Sequence, residues 1–214
     1  MKNVIVFGAN GYIAKRFMGF SEEKYKFTTV SRQQFDFLDP DYEKLDDHIR
    51  RKATTAGYQA AIFLQGINPR VGVEEIDEKS FHDMIKINLS TPMGVVKTLK
   101  PLLTDSASVV FMSSIARRKG SYDPSYATAK AGLEGMVQTL SNNYRHLRFN
   151  CLSIGLVKGS PVHVGMTPDF VSRHKSSMGG DLVCPSDVCR SLEFLIECKS
   201  INRTTVDVDR GFRV

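Results

Sequence analysis

Tryptophan is absent from the 214 residues, and cysteine occurs only four times, as Cys151, Cys184, Cys189 and Cys198. The cysteines form no Cys-x-x-Cys pair and no Cys/His cluster with zinc spacing. Neither a metal site nor a disulfide framework is therefore expected, and free thiols fit a reducing compartment. No apolar run approaches the roughly 20 residues of a membrane-spanning helix. The run Val4-Ile-Val-Phe7 breaks at Gly8 and is also too short for a secretory signal. These absences lead to the expectation of a cytoplasmic protein with no membrane partner. No Lys/Arg run is interleaved with aromatics, so nucleic acid is not expected as a partner despite a formal charge of +6. That charge suits phosphorylated small molecules equally well. Internal repeats, low-complexity tracts and interdomain linkers are also missing. With 42% hydrophobic and 24% charged residues, the chain reads as one domain spanning 1–214 with a substantial core.

Asn3 to Phe7 reads as a buried parallel strand. It enters Gly8-Ala-Asn10-Gly11-Tyr12-Ile13-Ala14 and then a helix to about Gly19. A strand, a glycine turn and a helix point to a dinucleotide site. Gly8 allows the tight turn, Gly11 lets backbone approach a pyrophosphate at the helix N-terminus, and Ala14 permits close packing. Asn10, Tyr12 and Ile13 belong to the same candidate contact. A second strand, Lys26 to Val30, ends at Ser31-Arg32. At this distance from the glycines an acidic residue would bind the 2′-hydroxyl of NAD. A guanidinium suits a 2′-phosphate, so NADP(H) is preferred and NAD(H) is the alternative. Gln34 to Phe37 is a candidate strand, but a parallel crossover needs a dozen or more residues. Either the usual helix before it is missing or the segment is a loop. Asp36 within it could reach an adenine edge. Asp41 to about Ala56 reads as an amphipathic helix. Gln59 to Leu64 is another strand, ending at Gln65-Gly66, where a glycine lets backbone lie against a cofactor.

Asp77 to about Leu103 has helical periodicity, and Asn88 lies on its buried stripe. A buried amide needs partners. Asn88 is thus either a satisfied core residue or a polar relay, with Pro92 bending the helix nearby. Ala107 to Met112 is a strand ending in Ser113-Ser114, of which one hydroxyl should face a pocket. Arg117-Arg-Lys119 reads as a solvated loop. Ser125 is the expected N-cap of a helix running to about Tyr144. On that helix Tyr126 and Lys130, four residues apart, share a face. Bringing a tyrosine from ~10 to about 7 requires about 4 kcal/mol. A lysine charge about 5 Å away would contribute roughly 3 kcal/mol at an effective dielectric of ~20. Such a pair could exchange protons near neutrality. Arg148 to Ile154 is a strand ending at Gly155, and the irregular stretch 156–183 has the character of a substrate lid. Pro185 to Cys198 reads as a helix capped at Ser186, and Thr204 to Val208 as a last strand.

The glycine turn Gly8 to Ala14, Asn88-Leu-Ser, Phe111-Met-Ser-Ser-Ile-Ala, Tyr126-x-x-x-Lys130, Arg148-Phe-Asn-Cys-Leu-Ser-Ile-Gly155 and Asp209-x-Gly211 occur in this order. In these motifs the chain resembles the short-chain dehydrogenase/reductase family nearly end to end. The resemblance implies a doubly wound, mostly parallel α/β sheet of Rossmann-like form with helices on both faces. It also implies hydride transfer between NAD(P)(H) and a small carbonyl or alcohol. By matching positions, Tyr126 would be the acid/base, and Lys130 would hold the nicotinamide ribose and lower the tyrosine pKa. Asn88 would link Lys130 to water, and a serine would bind the substrate oxygen. Alignment on Ser-Ile-Ala selects Ser114, whereas counting back from Tyr126 selects Ser113; Ser114 is preferred. Leu64-Gln65-Gly66 replaces the family's Asn-Ala-Gly, and Ile154-Gly155 replaces its Pro-Gly. The resemblance further implies a homodimer or homotetramer formed through the helices of Asn88 and Tyr126. Two other readings stand beside a simple carbonyl reductase. One is an enzyme of this type acting on a sugar nucleotide or other anion, suggested by Arg117 to Lys119. The other is a non-catalytic NADP(H) sensor, suggested by the altered positions at Gln65 and Ile154.

Overall fold

The computed structural model describes residues 1–213. Strands β1 (Lys2–Phe7), β2 (Tyr25–Val30), β3 (Tyr58–Phe63), β4 (Leu103–Ser114), β5 (Arg148–Ile154) and β6 (Thr204–Val208) form one sheet. Their order is β2-β1-β3-β4-β5-β6, and every pairing is parallel. Parallel neighbours need crossover connections. These contain α1 (Tyr12–Phe20), α2 (Tyr42–Lys52), α3 (Glu78–Ile85), α4 (Thr91–Leu99), α6 (Pro124–Asn143) and α9 (Pro185–Glu197). Three further short helices are α5 (Ala116–Lys119), α7 (Pro161–Val164) and α8 (Pro168–Ser177).

Alternation along the strands divides the core in two. Ile5, Phe7, Phe63, Val109, Phe111 and Phe149 pack with residues of α2, α4 and α6. Val4, Val6, Ala60, Ile62, Val110 and Leu152 pack with residues of α1 and α9. The fold is therefore the expected doubly wound sheet with helices on both faces. Because β2 lies outside β1 while β3 lies on its other side, the strand order reverses between β1 and β3. The carboxyl ends of these two strands flank the crevice where sheets of this kind bind ligands.

Several local expectations are corrected. Gln34 to Phe37 is a loop, with the amides of Gln34 and Phe35 both returning to the Ser31 carbonyl. Phe35 and Phe37 alternate as in a strand, yet they pack on each other, on Tyr42 and on Phe7 to cover the core. Between α3 and α4, Lys86–Ser90 forms a π turn. Pro92 has no N–H to offer the Asn88 carbonyl four residues back, which disrupts the regular helical ladder at this point. Asp123, not Ser125, caps α6, accepting from the Tyr126 amide at 3.1 Å. Pro124 follows at the first helical position, where a missing N–H is harmless. Cys184, not Ser186, is the N-cap residue of α9. The stretch 156–183 carries α7 and α8, and a parallel bridge between Val157 and Val183 ties its ends together.

At the amino end of β5, Arg148 is buried. Its guanidinium donates to the carbonyls of Leu195, Ile196, Cys198 and Ile201 at 3.0, 2.8, 2.8 and 3.2 Å. Carbonyls at the end of a helix such as α9 lack partners within the helix. Arg148→Met would keep the apolar stem but remove these donors, and is expected to lower the unfolding free energy by about 3 kcal/mol. Urea titration checks this, and an unchanged midpoint would contradict the assigned role.

Candidate active site

The crevice begins at Gly8. Its φ is +75°, and a Cβ there would lie 2.6 Å from the Gln65 amide nitrogen. Glycine is required both for the conformation and for the close approach of β1 and β3. Gly11 is the N-cap residue of α1, with no side-chain cap and no acidic residue in the first turn. The amides that open α1 therefore present an anion site. Asn10 and Gly11 are exposed, and Ile13 packs against the core on the α1 side. The Tyr12 hydroxyl crosses to the Lys158 carbonyl at 2.9 Å. Ser31 is turned inward, its amide and hydroxyl both donating to the Gln34 side chain. Arg32 is 80% exposed at its side chain and lies 3.1 Å from Asp36. The Leu38 amide also donates to Asp36, and this backbone bond is the main cause that holds the carboxyl below its ordinary range.

Across the crevice, α6 carries Tyr126 and Lys130. The Lys130 ammonium is 5.6 Å from the Tyr126 ring centroid and donates to the Met112 carbonyl at 2.9 Å. Ser114 lies close enough to Tyr126 to stabilise its phenolate form, and it accepts from the Ala116 amide at 3.2 Å. Ser113 points into the protein and donates to the Lys130 carbonyl at 3.0 Å. Asn88 sits buried in the π turn. Its Nδ2 donates to the carbonyls of Ile67 and Met84, both at 3.1 Å, while its Oδ1 has no partner. Gly66 adjoins it: a Cβ there would lie 2.8 Å from Asn88 Oδ1 and 3.4 Å from Lys130 Nζ. Gln65 Oε1 is a second buried oxygen without a partner. Gly155 is enclosed by the 156–183 stretch and the end of β6, where a Cβ would lie 2.7 Å from Met178 and 3.3 Å from Asp209.

The electrostatics reverse one expectation. Burial raises the Tyr126 phenol above its ordinary value, and the Ser114 hydrogen bond offsets only part of that rise. Burial also lowers Lys130 to about 8. Desolvation disfavours phenolate and ammonium alike, and here it outweighs the attraction inferred from the four-residue spacing. Below pH 8, Tyr126 is a phenol and Lys130 an ammonium. The basic triplet also departs from its expected solvated loop. Arg117 is nearly buried, paired with Glu134 at 2.7 Å and with both oxygens of Asp207 at 2.7 and 2.8 Å. Arg118 pairs with Asp209 at 2.6 Å. These two guanidiniums are engaged within the protein, which removes the main support for anion recognition by this segment.

Sequence reasoning missed the backbone acceptors at Met112 and Ile67, because a carbonyl has no side-chain signature. It also missed Cys151, which lies close enough to Lys130 for their charges to interact and whose thiol burial pushes up to about 12. Among the described residues no group of three or more His, Cys, Asp or Glu could hold a metal ion. No helix among them is long and apolar enough to cross a membrane.

The lysine shift has a thermodynamic consequence. Below about pH 8 the lysine is charged in folded and unfolded chains alike, so its burial penalty is constant. Between about 8 and 10.5 the unfolded chain binds the extra proton, and stability rises with pH. Across that window the wild type is expected to gain about 3 kcal/mol relative to Lys130→Met. Denaturant titrations of both proteins at the two ends of the window measure it. A pH-independent difference would contradict the shift.

The family model described as enoyl-(acyl carrier protein) reductase matches residues 50–213, more than half of the chain. Asnovolin H dehydrogenase nvfC of Aspergillus novofumigatus is 26% identical over 160 residues, 65% of this chain and 62% of its own. Dehydrogenase/reductase SDR family member 4 of Homo sapiens is 30% identical over 128 residues, 55% of this chain and 46% of its own. The chain thus matches less than two thirds of the length of these curated relatives. Among solved structures, a short-chain dehydrogenase/reductase of Brucella melitensis superimposes with a TM-score of 0.85 at 17% identity, covering 100% of this chain and 97% of that one. A small-chain dehydrogenase in complex with NADPH gives 0.86 at 20% identity, covering 98% and 97%. These likenesses extend the fold over the whole chain, and the family match identifies it: the protein belongs to the short-chain dehydrogenase/reductase family.

Proposed function

We propose that this protein is an NADP(H)-dependent oxidoreductase that interconverts a carbonyl and an alcohol, with Tyr126 as general acid/base. The carrying observation is the convergence of Tyr126, Ser114 and Lys130 beside Gly66. The crevice fits a dinucleotide. The open amides of α1 suit a pyrophosphate, and the unpartnered oxygens of Gln65 and Asn88 suit ribose or water donors. Arg32 suits the 2′-phosphate, since an exposed ion pair such as Arg32–Asp36 is weak and easily exchanged. Two structural neighbours are complexes with NADPH, which supports the same cofactor here.

A bound nicotinamide supplies or accepts the hydride; the chain manages the proton. Burial keeps Tyr126 as the phenol, so it is set to donate from Oη to the substrate oxygen. The Ser114 hydroxyl donates a second hydrogen bond to that oxygen as it gains charge. The Lys130 ammonium stabilises the tyrosinate left behind. Titrating near 8, it can return a proton without a large barrier. Asn88 Oδ1 provides an acceptor for water beside Lys130. This arrangement favours reduction at neutral pH, because the acid form of the tyrosine is already in place.

Tyr126→Phe is expected to lower reduction of a carbonyl by about a thousandfold, while NADPH affinity changes little. Stopped-flow absorbance of the nicotinamide and a nucleotide titration separate the two quantities. Full turnover by this variant would refute the mechanism. Thermal-shift titration with NAD, NADH, NADP and NADPH should favour the phosphorylated pair, and Arg32→Ala should erase that preference.

A further inference from the structure

We infer that the substrate of this proposed oxidoreductase is a neutral, apolar carbonyl compound, received at a mouth built by residues 67–73, Tyr122 and the first lid helix. The inference rests on the oxidoreductase reading and specifies its substrate. Ile67, Val73, Tyr122, Val162 and Val164 are 41–73% exposed. Single exposed apolar residues need no explanation, but these lie on three segments that touch one another. Asn88 Nδ2 holds the Ile67 carbonyl at 3.1 Å, next to Gly66 and Lys130. Arg70 donates to the carbonyls of Val162 and Gly165 at 3.0 and 3.4 Å. Gly72 abuts the Tyr122 ring, where a Cβ would lie 2.7 Å from the hydroxyl. The Val71 amide approaches Asp123, the cap of the Tyr126 helix, at 3.4 Å. The rim thus runs without a break from the lysine to the lid.

Charge argues for a neutral ligand. The Arg70 guanidinium is engaged by lid carbonyls, and Arg117 and Arg118 are paired with carboxylates. The other ionisable residues of the loop are acidic, Glu74 and Glu75, and Glu75 accepts from the Gly72 amide. Beyond Val164, a groove of about 460 Å³ between α7 and α8 continues the apolar surface with Met166, Pro168 and Val171. His163, Ser172 and Lys175 form the polar border of that groove. At the rim between Ile67 and Val164, a carboxylate or phosphate on the substrate would lose water beside apolar side chains and the acidic Glu74 and Glu75.

The test compares a naphthyl methyl ketone with the same ketone bearing a ring carboxylate, on the NADPH-loaded protein. Binding is measured by saturation-transfer NMR and reduction by nicotinamide absorbance. The neutral ketone should bind and turn over better by about tenfold or more. Val73→Lys and Val164→Lys should shrink that ratio and Val73→Glu should widen it, through KM and with NADPH affinity unchanged. Selective binding of the neutral ketone without reduction would sustain this inference and refute the oxidoreductase reading. Equal or better binding of the carboxylate, or binding of neither compound, would overturn the inference.

Discussion

Three aromatic rings hold the working edge of the sheet level. Phe7, Phe63 and Phe111 are register partners on β1, β3 and β4, stacked with centroids 4.6 and 4.7 Å apart. A slip of one residue in any strand would send its ring to the opposite face, so their burial fixes the register. Each ring immediately precedes a segment of the crevice: Gly8 after the first, Leu64-Gln65-Gly66 after the second, Met112-Ser113-Ser114 after the third. The approach of Gly8 to Gln65 and the reach of Lys130 to the Met112 carbonyl both depend on these strands being held in this register.

Above that layer, desolvation sets the protonation states. A buried lysine is held by a carbonyl rather than a carboxylate, and a half-buried tyrosine is raised rather than lowered. A carboxylate beside Lys130 would have kept the ammonium charged to high pH and reduced its ability to give up a proton. A carbonyl orients the same group while leaving it labile. Both groups are therefore held in their protonated forms at neutral pH, the state that the proposed proton delivery requires.

Much of this was legible in the sequence. The strand bounds of β5 and β6 and the helix carrying Tyr126 follow from β-branched runs and helical spacing, signals that burial imposes directly. What was not legible came from partners distant in the chain. Phe35 and Phe37 have the period of a strand, but only the position of Phe7 and Tyr42 shows that they cover the core from a loop. Arg117 looks solvated until Glu134 from α6 and Asp207 from β6 are placed around it. The tyrosine shift was misjudged because spacing gives the distance between two charges but not the water that both have lost. Gly155 carries a further hidden signal: its missing side chain makes room for Met178 of the 156–183 stretch.

Asn88 joins the surroundings of Lys130 to the loop at Ile67. Its Nδ2 fixes the Ile67 carbonyl, and its Oδ1 faces the space beside Gly66 and Lys130. Because the amide is planar, the orientation that holds the loop also aims the free oxygen. The loop in turn reaches α7 through Arg70, whose φ of 63° is uncommon for a non-glycine residue and is held by its bond to the Val162 carbonyl. Displacing α7 would therefore act on Arg70, then on Ile67, and then on one of the two carbonyl bonds that orient the Asn88 amide, the other being to Met84. The π turn belongs to the same arrangement, since the proline that disturbs the helix four residues beyond Asn88 sets where this side chain leaves the backbone.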